Sequence, residues 1–264
     1  MSATPALAAP STDTNDPGAL ARRLAAAAPA LDLFQRVAAV RAAMGGTLVF
    51  TTSFGLEDQA IGHAILSQAL KIDIVTLDTG RLFPETHDVW AETERRYGCR
   101  IRAIVPDRHE LEALIDRQGS NGFRASAAAR RACCHVRKVA PLNRALAGAQ
   151  AWITGLRSDQ SEHRAEVAFA EFDGTHRVVK INPLFDWTRA RAADFTRQHH
   201  VPVNALHESG FLSIGCAPCT RAVAPGEPER AGRWWWETDG KTECGLHSHP
   251  LHAAARAARQ SSPS

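Results

Sequence analysis

The sequence predicts an α/β fold on a doubly wound, mostly parallel sheet. Three observations lead there. Short apolar runs rich in β-branched residues alternate with stretches of helical periodicity from Thr47 onward, which is the pattern of βαβ units. The loops after the first two runs, Ser53-Phe54-Gly55 and Asp78-Thr79-Gly80, pair glycine with small polar residues. The chain has 264 residues, 44% of them hydrophobic and 22% charged, enough for one large core in an ordinary globular protein.

In chain order, residues Met1 to Pro17 are rich in Ala, Ser, Thr, Pro and Asp and are expected to lack fixed structure, with 1–18 as a disordered N-terminus. Arg22-Arg23-Leu24 before alanines has the look of a twin-arginine signal. Pro29 and Asp32 cut the apolar run short and no clear cleavage site follows, so an N-terminal helix is the reading. Thr47–Thr52 is a buried strand, Glu57–Leu70 a helix, Ile72–Leu77 a strand, Glu85–Tyr97 a helix and Arg100–Val105 a third strand. Asn121-Gly122 precedes a helix over Arg124–Ala147 that Pro141 should kink or divide. Ala151–Thr154 and Val178–Ile181 are further strands, and Asp186-Trp187-Thr188 offers caps for a helix through His199. Beyond Pro202 the chain is loop-rich, and no internal repeat is found. The expected division is a core domain over 19–232 and a mobile C-terminal segment over 233–264. Trp234, Trp235 and Trp236 either pack that segment down or belong to the core.

The balance of 31 basic against 28 acidic side chains gives +3, too little for a general nucleic-acid binder, and no apolar run is long enough to span a membrane. Without an export signal a reducing, cytoplasmic setting is expected, and there six cysteines favour metal binding or catalysis over disulfides.

The cysteine distribution carries the chemistry. Cys133 and Cys134 are adjacent, Cys216 and Cys219 form a C-x-x-C, and Cys244 stands alone in Glu243-Cys244-Gly245-Leu246-His247. Neighbouring side chains on a helix diverge by about 100°, which is awkward for one small ion but acceptable for an iron–sulfur cluster whose irons take separate thiolates. Zinc favours separated pairs, and two buried, inert cysteines are the third reading. Cys244 suits a nucleophile, with Lys241 and His247 close enough in sequence to stabilise a thiolate or bind an anionic leaving group. Arg130, Arg131, Arg137 and Lys138 flank the adjacent pair, Arg221, Arg230 and Arg233 follow the C-x-x-C, and Arg157 and Arg164 add two cations in RSDQSEHR. Singly each suits a solvated surface; together they suggest a polyanion pocket. Ser53 heads either a phosphate-binding loop or an ordinary βα turn. Asp78 to Arg81 forms either a turn cap or the second wall of a nucleotide crevice.

Taken together, SFGLED (Ser53–Asp58), LDTGRLFPET (Leu77–Thr86), CCHVRK (Cys133–Lys138), GLRSDQS (Gly155–Ser161), INPLFDWT (Ile181–Thr188), GCAPCTR (Gly215–Arg221), GRWWWE (Gly232–Glu237) and KTECGLH (Lys241–His247) resemble, in unchanged order, the assimilatory adenylyl-sulfate reductases of the PAPS reductase branch of the PP-loop fold. The resemblance implies reduction of adenosine 5′-phosphosulfate (APS) to sulfite and AMP by thioredoxin or glutaredoxin. Cys244 would be the nucleophile that passes through an S-sulfocysteine. Cys133, Cys134, Cys216 and Cys219 would hold one 4Fe–4S cluster that is not the electron source, with Lys138 between cluster and substrate. Ser53, Arg164, Arg230, Arg233 and His247 would bind the substrate. Family members differ in oligomeric state, so a homo-oligomer is left open. His135 departs from the small residue many relatives carry there, and Cys99 matches no family position and is read as packing. A PAPS reductase is the nearest rival, lacking both cysteine pairs; a PP-loop ATP pyrophosphatase would keep a fuller SGGxDS-type loop; a metal-binding regulator would leave Cys244 without purpose.

Overall fold

A computed structural model describes residues 16–237 and Leu246. Two helices open the chain, α1 (Pro17–Ala27) and α2 (Leu33–Ala43). Asp16 caps the first, accepting from Gly18 N–H at 2.8 Å, and Asp32 with Gln35 closes a reciprocal capping box on the second, each satisfying N–H groups with no intrahelical partner. The α/β body follows as β1 (Leu48–Thr52), α3 (Leu56–Leu66), β2 (Asp73–Leu77), α4 (Pro84–Tyr97), β3 (Arg102–Ile104), α5 (Arg108–Gln118), α6 (Ala127–Cys134), α7 (Ala140–Leu146), β4 (Ala151–Ile153), β5 (Ala170–Asp173), β6 (Val178–Ile181) and α8 (Arg189–Gln198).

The sheet order is β3-β2-β1-β4-β6-β5, parallel except for the antiparallel β5–β6 edge pair. Both faces are covered, and the strand period of two shows why. Leu48, Phe50, Ala151, Ile153, Val179 and Ile181 pack with apolar residues of α1, α2, α3 and α8. The alternate positions Val49, Val75, Trp152 and Val178 pack against Leu142, Ala145 and Leu146 of α7. A sheet buried on both sides reads as continuous apolar runs in sequence, which is why β1, β4 and β6 are legible there.

The expected strands and helices are found with ends shifted by a few residues. The helix after β1 stops at Leu66 because Ala69 turns left-handed at φ 50°. Thr188 caps α8 by accepting from Arg191 N–H, whereas Asp186 forms a bidentate pair with buried Arg36 at 2.6 and 2.7 Å. The helix expected over Arg124–Ala147, to be kinked or divided at Pro141, is divided just before that proline into a 3₁₀ turn, α6, a π-helical turn over His135–Val139 and α7. Ala140 N–H reaches back five residues to the His135 carbonyl, and Pro141 then sits in the first turn of α7, where its missing N–H is no loss. The sequence reading did not place α2, α5 and β5. The last two are amphipathic at best, with Leu114 the buried residue of α5 and Phe172 of β5 exposed.

Candidate active site

The chain leaves β1 for β2 and β3 on one side, then returns to β4 on the other. β1/β4 is therefore the switch point of the sheet, and the carboxyl ends of its strands open into a cleft. Thr51, Thr52 and Ser53 from β1, Thr76 and Leu77 from β2, and Thr154 and Gly155 after β4 line it.

At the first of these ends Phe54 adopts φ 58° and Gly55 precedes α3. The left-handed backbone is costly for a phenylalanine, and burial of its ring, stacked 5.6 Å from Trp90, offsets that cost. Ser53 donates through both its N–H and its hydroxyl to Asp58 Oδ2, at 2.6 and 2.7 Å. A carboxylate of the protein thus occupies donors that an anion would use. Gly155 is needed opposite it, since a Cβ there would lie 2.3 Å from Asp58 Oδ1. Burial pushes the Asp58 carboxyl up to about 6, against the pull of the two Ser53 bonds. The folded state therefore holds this proton more tightly than the unfolded chain, and its stabilising effect is lost as pH rises from about 4 to about 6. Over that window wild type should lose on the order of 3 kcal/mol relative to Asp58→Asn; urea unfolding of both proteins at pH 4 and 6.5 tests it, and parallel pH profiles would refute it.

The second loop resolves toward its structural reading. Asp78 Oδ1 accepts from Gly80 N–H at 2.9 Å as a turn cap, and Arg81 turns to the Asn121 side chain and the Phe123 ring. Thr79 belongs to both sides. It lines the cleft, its hydroxyl lies 3.3 Å from Cys216 Sγ, and its carbonyl accepts from Arg137 Nη1 at 2.6 Å. Ala217 N–H donates to the Arg81 carbonyl. The loop after β2 is thereby clamped to the C-x-x-C.

All four paired cysteines meet here. Cys216 and Cys219 form one apolar cluster with Phe123 and Trp234, and Cys133 packs against it. Cys134, buried at the end of α6, acts electrostatically on Cys219. Burial opposes a thiolate at Cys216, yet Lys138, the Thr79 hydroxyl, Arg233 and Arg137 outweigh it and hold that thiol below its ordinary range. Burial, with Cys216 beside it, pushes Cys219 up to about 12. Four buried N–H groups around this cluster, Arg130 Nη1, Arg137 Nε, Arg233 Nε and Trp236 Nε1, find no hydrogen-bond partner among the described residues. Buried donors of this kind are normally satisfied. Among the described residues no group of three or more Cys, His, Asp or Glu is placed to hold a single metal ion. Four gathered thiols ringed by buried donors that lack a partner among the described residues fit a polynuclear anionic cluster with sulfur acceptors.

Of the six residues expected to bind substrate, Ser53, Lys138, Arg164, Arg230 and Arg233 all line the cleft. Lys138 also acts on Cys216 and Cys219, so it stands between cleft and thiols. Arg233 lies over Gly215, where a Cβ would be 2.2 Å from Nη2. His247, Lys241 and the expected nucleophile Cys244 lie outside the described residues; Leu246 is described and lines the cleft. The start of the expected C-terminal segment is part of the packed body. Trp234 is buried between Arg130 and Arg233, whose guanidinium carbons lie 4.4 and 4.9 Å from its ring centre, and Glu237 pairs with Arg130 at 2.7 Å. Cys99 packs beside Phe54, Val89 and Ile101, as expected.

Arg157 corrects the sequence reading. It does not line the cleft but is completely buried, donating to Glu57 at 2.8 Å, Asp159 at 2.9 Å and Glu229 at 2.9 Å. Its loop partner Arg164 does line the cleft. Arg221 is also spent elsewhere, on Glu227. Sequence periodicity offers no way to tell two arginines of one loop apart.

A doubly wound, mostly parallel α/β sheet with a cleft at its switch point is the class that the fold defines. The pattern of the phosphoadenosine phosphosulfate reductase domain matches residues 47–222. An adenosine 5′-phosphosulfate reductase of Agrobacterium fabrum is 55% identical over 217 residues, 82% of this chain and 83% of that protein. The crystal structure of a PAPS reductase from Candida auris in a phosphate complex superposes with TM-score 0.65 at 25% identity, over 76% of this chain and 95% of that one. A Candida glabrata FMN adenylyltransferase solved with FAD and inorganic pyrophosphate shares the fold, at TM-score 0.50 and 15% identity over 97% of this chain and 86% of that one. The chain belongs to the phosphoadenosine phosphosulfate reductase family. Among the described residues no helix is long and apolar enough to cross a membrane.

Proposed function

We propose that this chain reduces APS to sulfite and AMP with a dithiol protein of the thioredoxin or glutaredoxin type, as a cytoplasmic step of sulfate assimilation toward cysteine. The observation that carries the reading is the cleft itself: Lys138, Arg164, Arg230 and Arg233 converge where the strands end, next to four gathered thiols. Such cations neutralise a phosphosulfate and the charge that grows on its bridging oxygen. The Cys244 thiolate attacks the sulfate sulfur, the sulfur–oxygen bond to phosphate breaks, and AMP departs with that electron pair. A donor thiolate then attacks Cys244 Sγ, sulfite leaves with the S–S bonding pair, and the donor's second thiol resolves the mixed disulfide. The two electrons come from the dithiol, and Cys244 returns as a thiolate.

Cys133, Cys134, Cys216 and Cys219 would hold a 4Fe–4S cluster, with the orphaned N–H groups of Arg130, Arg137, Arg233 and Trp236 as donors to its sulfur atoms. When bound, the cluster supplies a polarising charge beside the cleft. Lys138 orients the substrate's anionic end there, Arg233 is fixed over Gly215, and buried Trp234 excludes water.

APS is favoured over its 3′-phosphorylated form because relatives named adenosine 5′-phosphosulfate reductases reach 55% identity, against 25% for the solved PAPS reductase. Burying an unpaired 3′-phosphate would cost several kcal/mol, on the order of a hundredfold in kcat/KM. Sulfite release measured on both nucleotides with thioredoxin in excess tests this; equal values, or a preference for the 3′-phosphate, would overturn the substrate assignment.

A further inference from the structure

We propose that Arg157 is the positioning residue of the anion site: from outside the cleft it sets where both Arg164 and Arg230 stand. The inference rests on the cleft binding a nucleotide anion as above, but not on which sulfonucleotide is the substrate.

The connections run through two single hinges. Arg157 Nη2 holds the Glu229 carboxylate at 2.9 and 3.2 Å, and Glu229 immediately precedes Arg230 in the chain. Arg157 Nη1 holds Asp159 at 2.9 Å, and the Arg157 backbone N–H donates to the side chain of the next residue, Gln160, whose Oε1 also accepts from Arg164 Nη1. The remaining guanidinium nitrogen, Nε, takes Glu57, in the first turn of α3. One planar fork thereby fastens the loop after β4 and the segment around Glu229 to the first turn of α3, just beyond Ser53. A guanidinium presents five donors in fixed directions, and a lysine ammonium cannot span the same three carboxylates.

The charges make this device consequential. Arg157 and Arg189, which lies 3.7 Å from Glu229, face three carboxylates at the rim of a cleft built for an anion. Burial and neighbouring Glu57 already hold the Glu229 carboxyl above its ordinary range. Without the Arg157 guanidinium these carboxylates repel each other and the incoming substrate, and Glu229, next to Arg230, and Asp159, next to the Gln160 that holds Arg164, lose their anchor. Small misplacements of binding groups cost up to about a hundredfold.

The test is a KM-against-kcat split in the cluster-loaded, full-length protein, with AMP affinity by calorimetry as a second readout. Arg157→Gln should raise KM for APS and Kd for AMP by about tenfold to a hundredfold while kcat stays within about threefold. Arg157→Lys should not restore either constant, and Arg157→Gln/Glu229→Gln should recover part of the loss by removing the stranded charge. Glu229→Gln alone, at a less buried position, should raise both constants several-fold and serves if Arg157→Gln does not fold. Unchanged KM and Kd in the variants, or a fall in kcat and Tm with affinity intact, would overturn the proposal. A wild type that releases no sulfite from APS yet binds AMP would instead refute the proposed function and leave this inference standing on the AMP arm.

Discussion

Cys244→Ser should abolish sulfite release from APS, by on the order of a thousandfold or more, while AMP affinity and visible absorption stay at wild-type values. The serine hydroxyl has almost no anionic fraction at neutral pH, whereas a thiol beside cations has a large one. The effect should be confined to turnover because the proposed cluster ligands are Cys133, Cys134, Cys216 and Cys219 and the proposed anion contacts are arginines and Lys138, with Cys244 in neither set. Leu246, which lines that cleft, lies two residues beyond Cys244 in the sequence. The decisive measurement is a single-turnover reaction with radiolabelled APS: wild type should retain label as an S-sulfonated protein, and the serine variant should not. Sulfite release near the wild-type rate would remove Cys244 from the mechanism.

Replacement of Cys134 or Cys219 by serine should take away colour and activity together. Wild type is expected to be brown, with about four irons and four acid-labile sulfides per chain. Each variant should lose most of both, and activity should fall at least about a hundredfold. The expected severity has a structural reason beyond the lost ligand. Arg130, Arg137, Arg233 and Trp236 each have a buried N–H without an acceptor among the described residues, and an empty site would strand those donors at about 1–3 kcal/mol apiece. Melting temperature should therefore drop with iron content, a readout independent of turnover. A colourless, fully active protein with stoichiometric zinc would refute the cluster.

Much of the fold is legible because the signals are local. Strands β1, β4 and β6 announce themselves as apolar runs, since both faces of each are covered. Helix α8 was readable from Thr188. Helix α2 carries an equally local mark, with Asp32 and Gln35 as a capping box and Leu33, Val37 and Val40 on one face. Strand β5 carries no such mark: Phe172 is exposed, and the strand exists through its antiparallel pairing with β6. The cleft was legible in its residue types, and Ser53, Lys138, Arg164, Arg230 and Arg233 all reach it. Asp58 lay inside a recognised motif, yet only the folded loop shows its carboxylate holding both Ser53 donors.

By itself the sequence determined the α/β class, the grouping of four cysteines apart from Cys244, and the identity of the cations near them, because composition, period and spacing are properties of the chain alone. Tertiary structure decided what those residues face. It widened the helix after Cys134 into a π turn, sent Arg81 to Asn121 and Phe123 instead of the cleft, and buried Arg157 among Glu57, Asp159 and Glu229 while Arg164, seven residues on, lines the site. The physical reason is that a charge's role depends on its solvation and its partners. Glu57 and Glu229 lie 100 and 72 residues from Arg157 in the chain, and only folding brings them within 3 Å of one guanidinium.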